Sequence, residues 1–143
     1  MLLVNEVYRS ILGESQAAGW PAVIIRLTGC HCRCTYCDTV HAFTEGEEQS
    51  VGQLSRQVDE FGCRRVLVTG GEPLLQPEVV HLLTDLLRNE KLVWLETSGV
   101  TGTVPLSQVP AGVRRVVDVK TPSSGIDSSL IDWEGDFVPD GGG

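Results

Sequence analysis

Four of the five cysteines fall within eight residues: Cys30, Cys32, Cys34 and Cys37. They come just after Ala22 to Leu27 (AVIIRL), a short branched apolar run suited to a buried strand. The spacing Cys30-x3-Cys34-x2-Cys37 puts three thiolates in one tight loop. Iron–sulfur clusters are held by thiolates, usually four. Three ligands leave one iron open to a substrate or cofactor, as a catalytic zinc keeps an open position. The rival reading is a structural zinc site with Cys32, His31 or His41 as fourth ligand. Such sites pair two C-x2-C knuckles, or one knuckle with a later histidine pair, and the sequence has no second knuckle. Clustered cysteines without a secretory context point to metal or redox chemistry rather than disulfides. Alternate residues in a loop often point apart, so Cys32 is expected to turn away from the cluster. Cys63 stands alone and reads as a small buried hydrophobe.

A chain of 143 residues fits one domain, residues 1–143, with one modest core. Its 41% hydrophobic and 21% charged residues are those of a soluble globular protein. No run approaches the roughly 18 apolar residues needed to span a bilayer. The first residues, MLLVNEVYRS, lack the basic start and long apolar stretch of a secretory signal, so a cytoplasmic location is expected. A net charge of −8 argues against nucleic acid as a partner, because a phosphate backbone calls for a basic face.

Val66 to Val68, Leu92 to Leu95 and Val116 to Val119 read as three more buried strands. Between them lie two helical patterns. Val51, Leu54, Val58 and Phe61 form the first, with a Ser50–Gln53 capping box at its start and Gly62 at its end. The second opens with Pro77 and carries Val79, Leu82, Leu83 and Leu86 on one face. Strands alternating with helices predict parallel βα units. Such sheets place their chemistry at the carboxyl ends of the strands. There lie the cysteine loop, Thr69-Gly70-Gly71-Glu72-Pro73, Glu96-Thr97-Ser98-Gly99 and Asp118-Val119-Lys120. Four polar or glycine-rich endings on one rim make a candidate site.

At these residues the chain resembles the radical S-adenosylmethionine (SAM) superfamily and, within it, the 7-carboxy-7-deazaguanine synthases. The matching stretches are NEVYRSILGES (Asn5 to Ser15), RLTGCHCRCTYCDT (Arg26 to Thr39), VTGGEPLLQ from Val68, LETSG from Leu95 and DVKTPSSG from Asp118. The cysteine motif identifies only the superfamily; the Gly-Glu turn, the arginine before the cysteines and the Cys-Asp-Thr after them narrow it. The resemblance implies an incomplete (β/α) barrel of the radical SAM type. It also implies a lyase of queuosine and 7-deazapurine biosynthesis, with a [4Fe–4S] cluster, SAM and Mg²⁺ as cofactors. Its reaction is the ring contraction of 6-carboxy-5,6,7,8-tetrahydropterin to 7-carboxy-7-deazaguanine with loss of ammonia. A low-potential electron donor such as flavodoxin is the implied partner, and a homodimer is admitted.

Carried over residue by residue, the resemblance makes Cys30, Cys34 and Cys37 the cluster ligands. Tyr36, Cys37, Asp38, Gly71, Asp118, Val119 and Lys120 become SAM contacts, with glycine at 71 allowing close approach to the backbone. Ile11, Leu12, Gly13, Glu14, Arg26 and Thr69 become substrate contacts. In this reading Arg26 offers a planar fork to the substrate carboxylate; the alternative to it is a strand-edge salt bridge. Thr39 supplies a hard oxygen for Mg²⁺.

The chain departs from the family in three places. Leu12-Gly13-Glu14-Ser15 stands where Gln-Gly-Glu-Gly is usual. His31 and Cys32 replace a polar–apolar pair. Family members continue through further strands where Trp133 to Pro139 here gives way to Asp140 and three glycines. Two functions of other classes remain open at this point: an activating protein that makes a radical on a partner protein, and a zinc-stapled binding module without catalysis.

Overall fold

The computed structural model describes residues 1–13, 15–29, 46–99 and 103–118. Six strands form one sheet: β1 (Leu2–Ile11), β2 (Pro21–Leu27), β3 (Glu47–Gln49), β4 (Arg65–Gly70), β5 (Leu92–Thr97) and β6 (Arg114–Val117). Their order across the sheet is β3-β1-β2-β4-β5-β6. The branched runs form β2, β4, β5 and β6, which lie parallel, so their carboxyl ends share one rim. β1 and β3 were not read from the sequence; β1 pairs antiparallel with both β2 and β3. Two ends also move. β6 starts at Arg114 and stops at Val117, two residues earlier than the apolar run suggests, although Asp118 N–H still donates to Thr97 O at 2.9 Å.

Helix α1 (Val51–Glu60) begins at the expected capping box. Ser50 Oγ accepts from Gln53 N–H at 3.2 Å, and Gln53 Oε1 accepts from Ser50 N–H at 2.8 Å. Gly62 follows it at φ +64°. Helix α2 (Val79–Arg88) starts two residues after Pro77, because Pro73–Leu75 first make a 3₁₀ turn that ends at Gln76. Both helices pack on one face of the sheet. Leu54, Val58, Leu82, Leu83 and Leu86 meet Val23, Ile25, Leu27, Val66, Val68, Val93 and Leu95 in a single cluster. Cys63 belongs to that cluster, its Sγ directed at Pro21 O. The two helices are tied by Ser55 Oγ donating to Asp85 Oδ2. Parallel strands with helices on one face are an incomplete (β/α) barrel, as expected. Between β5 and β6 the described residues hold one 3₁₀ turn, Leu106–Gln108, rather than a helix. No helix among the described residues is long and apolar enough to cross a membrane.

The rim is bound together by Glu72, which is fully buried. Its Oε1 accepts from Thr97 Oγ1 at 2.6 Å and from Leu74 N–H at 3.1 Å. Its Oε2 accepts from Ser98 N–H at 2.9 Å and Ser98 Oγ at 2.6 Å. A buried carboxylate is tolerated only where such donors replace water. One side chain thus fastens the turn after β4 to the end of β5. Its own N–H donates to Gly29 O at 2.8 Å, which adds the end of the β2 segment, where the cysteine loop departs. Close approach reinforces the tie: a Cβ at Gly70 would lie 2.3 Å from Leu27 O.

Two outcomes test this frame. Gly70→Ala must push two paired strands apart and should destabilise the fold by about 3 kcal/mol. Gly62→Ala meets open space and should cost only the left-handed backbone penalty, about 1 kcal/mol. Urea midpoints of the two variants measure the difference. Glu72→Gln has no harmless orientation, because each oxygen serves one backbone N–H. Whichever side the new amide NH₂ occupies, it faces a donor. A loss of about 1–3 kcal/mol is expected, with faster amide exchange at Leu74 or Ser98.

Candidate active site

The sheet face opposite the helices begins with a change of register. β1 carries a β-bulge between Val4 and Glu6. Leu2 and Val4 belong to the helix-side cluster, and Val7 packs against it. After the bulge, Glu6 stands opposite Arg26 and Tyr8 opposite Ile24. Cross-strand partners share a face, so the extra residue turns Glu6, Tyr8 and Ser10 away from the helices. A loop then returns the chain to β2, closed by Leu12 N–H to Trp20 O at 2.9 Å and Gly19 N–H to Leu12 O at 2.7 Å. Leu12, Ala22, Ile24 and Trp94 form the second, smaller core cluster on this side.

Two adjoining cavities open here. One, about 210 Å³, is mainly polar and is lined by Tyr8, Ser10, Ile11, Ile24, Arg26, Leu67, Thr69, Gly70 and Glu96. The other, about 140 Å³, is lined by Leu12, Gly13, Ser15, Leu67, Trp94, Glu96 and Val116. Leu67 and Glu96 line both, so the two spaces form one elongated site with a polar end and an apolar, aromatic end. Arg114 lies over the Trp94 ring, its guanidinium carbon 4.9 Å from the centroid.

Of the residues expected to touch substrate, Ile11, Arg26 and Thr69 line the polar cavity and Leu12 and Gly13 the apolar one. Glu14 lies outside the described residues. Of those expected to touch SAM, Gly71 and Asp118 sit at the carboxyl-end rim. Gly71 N–H is directed at Leu27 O at 3.4 Å, and Asp118 N–H at Thr97 O. Tyr36, Cys37, Asp38, Val119 and Lys120 lie outside the described residues, as do Cys30, Cys32, Cys34 and Thr39. The loop that carries the thiolates leaves from Gly29, whose carbonyl is held by Glu72 N–H and whose φ is +97°. This root beside the Gly71 turn suits a soft, thiolate-held group placed next to a ligand lying along the rim.

Arg26 makes the strand-edge ion pair and also lines the polar cavity. Its Nε donates to Glu6 Oε1 at 2.9 Å and its Nη2 to Tyr8 OH at 3.0 Å. Burial works against the charge, but the hydrogen bonds and charges of Tyr8 and Glu6 outweigh it, and the pKa stands above the ordinary arginine value. The guanidinium therefore keeps its charge at the polar end of the cavity. Sequence reasoning placed Glu96 on the rim but missed Tyr8 and Trp94 as lining residues. Trp94 and Glu96 had a signal in the period-two alternation of β5, whose other face carries Val93, Leu95 and Thr97. Tyr8 had none, because the bulge interrupts the alternation of β1.

A model of the radical SAM superfamily matches residues 24–128. The 7-carboxy-7-deazaguanine synthase of Chlorobaculum tepidum is 41% identical over 125 residues, covering 87% of this chain and 56% of that protein. The synthase of Koribacter versatilis is 40% identical, covering 85% and 54%. That of Bacteroides thetaiotaomicron is 32% identical, covering 92% and 76%. The crystal structure of QueE from Escherichia coli matches with a TM-score of 0.67 at 27% identity, covering 81% of this chain and 59% of that one. The chain spans about half the length of the Chlorobaculum and Koribacter proteins. With the superfamily model over most of its residues and the Bacteroides protein matched over three-quarters of its length, the chain belongs to the radical SAM superfamily and, within it, to the family of 7-carboxy-7-deazaguanine synthases.

Proposed function

We propose that this chain carries the catalytic half-barrel of a 7-carboxy-7-deazaguanine synthase, converting 6-carboxy-5,6,7,8-tetrahydropterin to 7-carboxy-7-deazaguanine and ammonia. The observation that carries the reading is the elongated cavity itself. It has a charged arginine at one end, an aromatic and aliphatic wall at the other, and Glu96 between them. A flat, hydrogen-bonding heterocycle bearing a carboxylate has that distribution of chemistry. Arg26 receives the carboxylate through a charge-assisted pair. Leu67 and Trp94 cover the ring and keep water from it. Thr69, buried at the end of β4, contributes a hydroxyl, and the backbone of Ile11 to Gly13 closes the outer side.

Cys30, Cys34 and Cys37 would hold the [4Fe–4S] cluster, and Gly71, Asp118, Val119 and Lys120, with Tyr36 to Asp38, would border SAM. Thr39 would give Mg²⁺ a hard oxygen. When bound, the reduced cluster and SAM supply the one-electron chemistry that takes hydrogen from the pterin. The protein's own work is to orient the ring, to hold the carboxylate and to exclude water. Reduction calls for a low-potential donor such as a flavodoxin, which fits a cytoplasmic setting; a homodimer is compatible with the reading.

Ligand assignment is tested by anaerobic reconstitution, which should give brown protein with about four irons per chain. Replacing Cys30, Cys34 or Cys37 by Ala should abolish the colour, and Cys32→Ala should retain it. Zinc in place of iron, with no SAM bound, would favour a stapled binding module. Substrate assignment is tested at Arg26. Arg26→Lys keeps the charge but loses the planar fork, and binding of the carboxypterin should weaken by about 2–5 kcal/mol, tens- to thousands-fold. Iron content and SAM binding should be unchanged. A protein that binds SAM but ignores the pterin would instead point to radical formation on a partner protein.

A further inference from the structure

Arg26 lies on the sheet face opposite the helices with only part of its hydrogen-bonding capacity committed. A guanidinium has five N–H donors in a rigid plane. Glu6 takes the donor on Nε and Tyr8 takes one on Nη2. Nε and Nη2 lie along the same side edge of the plane, so that edge is filled. Nη1 has no partner among the described residues, and Nη2 keeps a second N–H. Both acceptors come from β1, and both reach Arg26 because of one irregularity. Without the bulge between Val4 and Glu6, continuing the earlier pairing would set Asn5 opposite Arg26 and leave Glu6 and Tyr8 facing the helices.

We propose that Glu6 and Tyr8 are positioning residues that lock the Arg26 guanidinium so that its Nη1–Nη2 end receives the ligand's carboxylate. This rests on the carboxypterin reading given above and deepens it. The two acceptors differ in kind. Glu6 is half-exposed, so its ion pair with Arg26 is screened and its contribution is chiefly directional. Tyr8 is partly buried and lines the cavity, and its phenolic oxygen fixes the plane at Nη2. A long arginine side chain otherwise loses rotamer freedom on gripping a ligand; here that ordering is already done before binding. Neither residue touches the carboxylate in this arrangement, so each acts on carboxylate binding through Arg26. The discrimination between a carboxylated ring and a bare one therefore depends on β1.

The experiment compares two fluorescent probes, 6-carboxypterin and unsubstituted pterin, titrated into the full chain loaded anaerobically with cluster and SAM. Tyr8→Phe keeps the ring and removes the acceptor. It should weaken 6-carboxypterin by roughly three- to tenfold, the value of one hydrogen bond, and unsubstituted pterin by clearly less. Glu6→Ala should do the same, and Glu6→Gln, which keeps an acceptor oxygen, should restore most of the loss. A purely structural role would weaken both probes together and would not be restored by Gln, and that result overturns the inference. Equal affinity of every variant for 6-carboxypterin overturns it as well, while the unaltered chain's preference for the carboxylated probe leaves the function standing. If the unaltered chain shows no such preference, the carboxypterin reading fails and takes the positioning role with it.

Discussion

The buried Glu72 carboxylate is the interaction on which the rim depends. A charge withdrawn from water must be met by donors from all sides, and here the donors are the ends of other segments: Thr97 and Ser98 from β5, Leu74 from the following 3₁₀ turn. Its backbone adds Gly29 at the root of the cysteine loop. None of these groups can shift alone without leaving a donor or acceptor unpaired. The geometry at the carboxyl ends of β2, β4 and β5 is therefore specified jointly, as a site that must hold ligands within fractions of an ångström requires. Helix packing beneath the sheet supplies most of the apolar burial, but it would tolerate sliding more readily than this polar knot does.

Above that rim the sheet divides its labour by alternation. Odd positions of β2 and β5 enter the helix-side core; even positions face the cavity. In the proposed reading Arg26 serves structure and recognition at once. Its ion pair with Glu6 and its bond to Tyr8 would, taken alone, describe an ordinary strand-edge arrangement. The same bonds occupy one edge of the plane and thereby define the other. Structural and functional explanations of this arginine are successive layers of one geometry, with the ion pair as the foundation.

Much of this was legible in the residues. The branched runs placed β2, β4 and β5, and Ser50 with Gln53 placed the start of α1, because these signals are local. The parallel arrangement brought the four endings to one rim, as the alternation of strands and helices implies. β1 escaped notice because its alternation changes phase at the bulge, and a phase change looks like no pattern at all. The start of α2 was misplaced because Pro77 suits a first helical turn, whereas the 3₁₀ turn upstream holds it two residues outside. Glu72 stood inside a recognised turn, yet its role as a hub depends on Thr97 and Ser98, which lie twenty-five and twenty-six positions further on and are joined only by the fold. Long-range polar contacts leave no periodicity to read.

The bulge in β1 has a consequence for how such a chain can change. Because side chains in a strand alternate, an insertion or deletion of a single residue before Glu6 can be absorbed at only one place. Removing Asn5 would straighten the strand and keep Val4 on the helix side and Glu6 and Tyr8 on the cavity side, whereas removing Leu3 would turn Leu2 out of the core. One residue can thus be lost at the bulge, while elsewhere in the first strand length can change only in steps of two. The start of the chain, far from the cysteines in sequence, is held to that rule by the arginine it faces.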